Sequence, residues 1–305
     1  MRRDAALLSL AISLVVVAPA RAAPTITMSG DQVVGALVAD LAYFYRHAVP
    51  RAPDFSLSGG NTSTGIADTQ RGVSDAGLVS RNLLADDPPG LVLTPLAISG
   101  ICLISNRANP VRQLTRSQIQ DIVAARVTSW SRIPGSPRTD PIVPVGRSLA
   151  TGAGQVFHSV FVDLATPIAW QPVTLPTSAQ VRDYVEQTPA GLGYVDLALT
   201  KPVHAIAYEG VACTRATIKD SSYPARRPLG VVTRGRPRAG LARFLRWART
   251  SRTARRVIAT RYIPLSEVCA GAATAVSRRR STSRRARRSA LTGVSAGASE
   301  PTSGG

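Results

Sequence analysis

The stretch Ser58-Gly59-Gly60-Asn61-Thr62-Ser63-Thr64-Gly65-Ile66 constrains this chain more than any other. Before it, Asp54-Phe55-Ser56-Leu57 alternates and reads as a strand. After it, Ala67-Asp68-Thr69-Gln70-Arg71 reads as helix. The order is therefore strand, loop of glycines and hydroxyls, helix. Glycine lets a backbone come close to a ligand. The first N–H groups of a helix lack intrahelical partners, and the dipole there favours negative charge, so a small oxyanion suits such a turn. One such loop alone is usually an ordinary cap or turn. Repetition makes the difference.

The unit recurs. Thr25-Ile26-Thr27-Met28 is a strand and Ser29-Gly30-Asp31-Gln32 a turn. Val33, Val34, Leu37, Val38, Leu41, Phe44 and Tyr45 then fall at helical spacing. Another strand, near Val73 to Val79, ends in Ser80-Arg81, where a hydroxyl and a guanidinium can meet an anion. Pro141 to Val145 is a strand, followed by a polar loop from Gly146 to Gly154 that carries Arg147. A helix over 155–161 follows. Leu91 to Ile104, broken at Thr94-Pro95 and Ser99-Gly100, predicts two short buried strands. Thr115 with Gln118, and Thr177 with Gln180, have capping-box spacing. Further strands are expected at 190–195 and 202–208. Units of this kind argue for an α/β fold with parallel sheets and crossover helices, and ligands sit at the carboxyl ends of such strands. Three hydroxyl-bearing helix starts and Arg147 would together hold a tetrahedral oxyanion, the arginine by charge-assisted bonds.

Charge separates the last quarter of the chain from the rest. Of 37 basic residues only Lys201 and Lys219 are lysine, and the net charge is +19. Residues 23–224 carry fifteen basic and fifteen acidic side chains; residues 225–262 carry twelve arginines and no acid. A general nucleic-acid binder would show a basic face with a recognisable motif, so no nucleic-acid partner is expected. Leu229 to Val232 predicts a strand, and 237–249 and 251–261 predict two helices with their arginines towards solvent. Ser251 suits the second helix as N-cap. Met1-Arg2-Arg3, an apolar stretch from Ala5 to Ala18 and Ala20-Arg21-Ala22 form a signal peptide over 1–22. The chain is thus expected to be exported, periplasmic or extracellular at the cell envelope, with no lipid anchor visible. Residues 271–305, rich in Ala, Ser and Arg, are expected to be a disordered basic tail able to touch anionic lipid or cell-wall polymer.

Cys102, Cys213 and Cys269 lack metal spacing. Cys102 lies in an apolar run and reads as a buried small residue; Cys213 and Cys269 can pair in an oxidising compartment. His47, His158 and His204 show no metal spacing either, although His158 can approach the cleft. Gly293-Val294-Ser295-Ala296-Gly297 matches a nucleophile elbow without the strand that motif needs. No Walker loop is present. No enzyme activity, metal or cofactor is therefore expected.

The turn Ser29-Gly30, the loop Gly59 to Ile66 and Ser80-Arg81 resemble the anion loops of the phosphate-binding proteins of ABC transporters. So do Leu114-Thr115…Gln118…Asp121-Ile122…Trp130, Arg147…Thr151-Gly152…Phe157 and Gly191-Leu192-Gly193-Tyr194-Val195, in the same order over about residues 25–265. The resemblance implies a type II periplasmic-binding-protein fold: two α/β lobes joined by two crossover strands near 100–106 and 198–206. It places the domain at 23–270, with lobe I at about 23–103 and 204–266 and lobe II at about 104–203. It implies inorganic phosphate as the ligand and ABC permease transmembrane subunits as partners of a monomer. Carried over residue by residue, the ligand site is Asp31, Gln32, Val33, Thr62, Ser80, Arg147, Thr151, Gly152 and Ala153.

Three positions depart from that pattern. The family has small hydroxyl residues where this chain has Asp31 and Gln32, and a threonine where it has Ala153. A missing hydroxyl removes about one hydrogen bond, on the order of 1–3 kcal/mol where the group is desolvated. Asp31 has three outcomes. It can accept the proton of monohydrogen phosphate, point away, or repel the ligand by about 4 kcal/mol at ~4 Å and an effective dielectric near 20. The last would leave a degenerate site, and an interaction or structural protein on the same fold that works through its Arg-rich C-terminal region. A phosphoester hydrolase is the most distant alternative.

Overall fold

A computed structural model describes residues 25–163 and 166–268. The signal peptide and disordered tail expected from the sequence, Cys269 and the Gly293–Gly297 motif lie outside the described residues. The chain runs β1 (Thr25–Asp31), α1 (Gln32–Ala48), β2 (Asp54–Gly60), α2 (Thr62–Arg71), β3 (Ala76–Val79), β4 (Leu91–Ser105), β5 (Gln113–Leu114) and α3 (Arg116–Val123). It continues through β6 (Val143–Gly146), α4 (Gly152–Phe157), β7 (Val173–Thr174), α5 (Ser178–Gln187), β8 (Gly191–Asp196), β9 (His204–Tyr208) and α6 (Arg215–Lys219). It closes with β10 (Arg226–Arg234), α7 (Ala239–Thr250), α8 (Arg252–Ala259) and β11 (Ile263–Pro264). A π-helical stretch, His158–Val162, extends α4.

Strand order is β2-β1-β3-β10-β4-β8-β6-β7, with β11 and β9 pairing on β4. β1, β2 and β3 are parallel, as are β6, β7 and β8, and the helices between them are the crossovers that parallel pairing requires. Two large core clusters follow. One gathers Met28, Leu41, Tyr45, Leu78, Leu229 and Phe244 beneath α1, α7 and α8. The other gathers Leu103, Leu114, Trp130, Phe157, Phe161 and Tyr223. These are the two lobes.

Strand β4 joins them. Its residues 91–100 pair with β10, and Ile101–Ser105 pair with β8. The two strands expected over 91–104 are therefore one. Pro95 does not end it, because the register slips opposite Pro95, between Leu229 and Gly230. A bulge tolerates a residue with no N–H to donate. β9 stays with the second lobe, on β4 and β5. The chain rejoins the first lobe only at Arg226, opposite Gly100, later than the 198–206 expected from the sequence.

Two further expectations are corrected. Cys102 is bonded to Cys213, so it is not a solitary core residue and Cys213 is not available to Cys269. The partners lie 111 residues apart, and only the fold brings them together. Glycines also serve the packing of α2 on β3. A Cβ on Gly77 would lie 2.3 Å from the carbonyl oxygen of Gly65, so these two glycines let α2 lie directly on β3.

Candidate functional site

The carboxyl ends of β1 and β2 are in register, Asp31 beside Gly60, with Gly30 beside Leu78 of β3. Their loops therefore open at one edge, facing the loop after β6. Between them lies a cleft of about 220 Å³. One wall is Asp31, Gln32, Val33, Gly60 and Asn61; the other is Arg147, Thr151, Ala153, Thr177, Ser178 and Ala179; Arg227 and Tyr262 also line it.

Four helices begin here, each capped by a side chain. Asp31 Oδ1 accepts from the Val33 and Val34 N–H groups at 3.0 and 3.3 Å. Asn61 caps α2 through the Thr64 N–H, Thr151 caps α4 through the Gly154 N–H, and Thr177 caps α5 through the Gln180 N–H. The cleft thus collects the positive ends of four helix dipoles. The expected Thr177–Gln180 pair acts as a simple cap, whereas Thr115 and Gln118 make the full reciprocal box on α3.

Of the nine residues expected from the sequence, six line the cleft: Asp31, Gln32, Val33, Arg147, Thr151 and Ala153. Thr62 and Ser80 are fully buried behind the wall. Their hydroxyls donate to Asp31 Oδ2 at 3.3 and 2.7 Å. Gly152 is where the two lobes touch. A Cβ there would fall 2.2 Å from Ser80 Oγ and 2.8 Å from Thr62 Oγ1. The Ser63 N–H also crosses the gap, donating to the Ala150 carbonyl at 3.2 Å.

Arg147 brings the positive charge of the second wall. Its backbone is held on both sides by the Tyr194 hydroxyl, which accepts from the Arg147 N–H at 2.9 Å and donates to its carbonyl at 3.0 Å. Burial pushes the Tyr194 phenol up to about 12, so it stays protonated as that donor. Phe157 stacks on the Tyr194 ring, centroids 4.1 Å apart. The Arg147 side chain reaches Ser178 Oγ at 3.5 Å, and its Nε is buried without a hydrogen-bond partner. Burial lowers the Arg147 guanidinium's affinity for its proton, while the charge of Asp31 across the cleft raises it. We expect Tyr194→Phe, which strips two buried backbone groups of their partner, to lower unfolding free energy by about 1–2 kcal/mol in urea titrations.

Two features of the site are not evident from the sequence. Arg227, first of the arginines on β10 to be buried, is only 2% exposed. It donates to Ser80 Oγ and to Asp196 Oδ2, both at 2.7 Å. Asp196 Oδ1 in turn accepts from Ser99 Oγ at 2.7 Å. Arg227 sits on β10 of one lobe and Asp196 on β8 of the other, so this ion pair spans the point where β4 passes between them. Arg81 behaves differently from expectation. It is buried and makes a bidentate pair with Asp87 at 2.6 and 2.8 Å, and it also donates to Gln155. Burial would raise the Asp87 carboxyl, but Arg81 and the Leu84 N–H together hold it low. Arg81 therefore braces the lobe contact and does not face the cleft.

His158 begins the π-helical stretch and lies beside Leu149 and Ile168 in a separate surface pocket. Among the described residues no group of three or more His, Cys, Asp or Glu side chains could hold a metal ion. No described helix is long and apolar enough to cross a membrane.

Comparison with known proteins agrees with this architecture. A family model described as a PBP superfamily domain matches residues 16–252. The chain is similar to the phosphate-binding protein PstS 2 of Streptococcus agalactiae, 34% identical over 86 residues, which is 28% of this chain and 29% of that protein. With PstS 2 of Streptococcus pneumoniae it is 25% identical over 108 residues, 35% of this chain and 37% of that one. The chain thus matches well under half the length of these curated relatives. Its fold resembles that of a phosphate ABC transporter substrate-binding protein from Clostridium perfringens, solved with bound phosphate. The TM-score is 0.70 at 24% identity, over 79% of this chain and 98% of that one. It also resembles an ABC-type phosphate transport receptor from Vibrio cholerae, with a TM-score of 0.66 at 24% identity, over 78% and 99%.

Proposed function

The chain belongs to the PBP superfamily through residues 16–252, and from that premise we propose that it is an exported solute-binding protein. It captures inorganic phosphate between its lobes and delivers it to an ABC-type phosphate permease. The observation that carries this reading is the convergence of four capped helix starts and Arg147 on one interlobe cleft. Helix starts supply N–H donors and positive potential, and arginine supplies a permanent charge with forked donors. The names borne by the similar proteins point to the same ligand.

In this reading Arg147 is the principal cationic ligand. Thr151, Gly152 and Ala153 present the start of α4, and Asp31, Gln32 and Val33 form the opposite wall with Thr62 and Ser80 behind it. Phosphate closes the lobes by touching both walls, and the closed form is what the permease receives. Thermal melting tests it. Phosphate at 100 times its Kd should stabilise the protein by about 2.7 kcal/mol, which for a protein of this size is roughly 5–10 °C in Tm. Melting that is unmoved by millimolar phosphate would rule the reading out.

A further inference from the structure

We infer that Asp31 is a built-in occupant of the anion site: its carboxylate takes the lobe I donors, and its charge weighs against a doubly charged ligand more than against a singly charged one. The inference rests on the oxyanion reading above and adds to it.

Asp31 is only 7% exposed, and its carboxylate is fully engaged. A carboxylate offers about four acceptor positions. Oδ1 holds the Val33 and Val34 N–H groups that open α1, and Oδ2 holds the hydroxyls of Thr62 and Ser80. Neither hydroxyl is free to turn. Ser80 Oγ accepts from Arg227 at 2.7 Å while donating to Asp31, and Thr62 Oγ1 accepts the Ser80 N–H at 3.2 Å while donating to Asp31. These are donors that would otherwise embrace an oxyanion. With all four on Asp31, no acceptor remains there for a ligand's proton.

The donors left to a ligand lie elsewhere. Arg147 Nε is buried without a partner, and its terminal nitrogen reaches Ser178 Oγ only at 3.5 Å. Arg227, itself buried at the cleft, has an unpartnered Nε. Charge is already balanced before any ligand arrives. Arg227 is paired with Asp196, and the charge of Arg147 is opposed by that of Asp31. A second anion therefore enters against a fixed negative charge, and a dianion meets twice the repulsion of a monoanion. The Asp31 charge thus weighs twice as heavily against an obligate dianion such as sulfate as against a monoanion such as dihydrogen phosphate.

The test is titration calorimetry of the full protein and of Asp31→Asn, with phosphate and with sulfate at one ionic strength. Asparagine is as good an N-cap as aspartate, so Oδ1 can keep α1 closed. Asp31→Ser, another capping residue, serves as the second variant if the first does not fold. The expected result is at least tenfold tighter sulfate binding in the variants, with a smaller gain for phosphate. Tenfold weaker phosphate binding would overturn the inference, because Asp31 would then be taking the ligand's proton. Changes below threefold for both anions would overturn it as well. Binding by the variants but not by the natural chain would uphold the role of Asp31 and remove phosphate capture as the chain's function. Binding by neither would remove both.

Discussion

Arg227→Met should lower the unfolding free energy by about 3–5 kcal/mol, the usual cost of breaking a buried ion pair by removing one partner. Methionine fills much of the volume, so the loss is electrostatic. Asp196 would keep its Ser99 hydrogen bond, but its other oxygen, now bonded to Arg227 at 2.7 Å, would face an apolar interior. The pair's side chains are 1% and 2% exposed, so water cannot take over. Ser80 would lose the donor that fixes its hydroxyl towards Asp31. Denaturant unfolding of the single variant gives the cost. Arg227→Met combined with Asp196→Leu removes the stranded charge and should recover most of it, because a buried pair replaced by apolar residues is often neutral. A single variant within 1 kcal/mol of the natural chain would contradict the assignment of this pair as the electrostatic link between the lobes.

What the sequence shows of this fold is what is local. Thr115 and Gln118 close their box within one turn, and Ser251 caps α8, because a cap needs only its next few residues. The strand, loop and helix units are legible for the same reason, and so is the set of capped starts around the cleft. What the sequence hides depends on distant partners. Arg227 is second in a run of twelve arginines without an acid, and composition alone cannot separate it from the solvated ones on α7 and α8. A signal was present all the same: Arg227 opens the apolar strand Pro228 to Val232, and Asp196 closes the buried strand from Gly191. Charges at the inner ends of buried strands need each other. Asp31 is legible as part of the turn before α1, yet the two hydroxyls on its Oδ2 come from residues 31 and 49 positions away. Arg81 failed as an anion ligand because Asp87, six positions on, folds back to it through a loop that no periodicity reveals.

Gly152→Ala should weaken phosphate binding about 5–150-fold while leaving the fold itself nearly as stable. The added methyl would lie 2.2 Å from Ser80 Oγ and 2.8 Å from Thr62 Oγ1, closer than side-chain carbons ever pack. Such a clash is relieved cheaply only if the neighbour can rotate. Ser80 cannot, because its oxygen is held between Arg227 and Asp31, and Thr62 is tied to Ser80 and Asp31. The loop must therefore retreat, taking Thr151 and Ala153 away from the opposite wall. Overpacking of this kind costs about 1–3 kcal/mol, and a hinged protein can avoid it by opening. The penalty then falls on the closed state alone, and it appears as lost affinity of that size. Calorimetry with phosphate measures the loss, and melting without phosphate measures the fold. Full affinity in Gly152→Ala would mean that the contact between the α4 start and Ser80 is no part of ligand capture. A large loss of stability with affinity unchanged would move Gly152 from the binding site to the core.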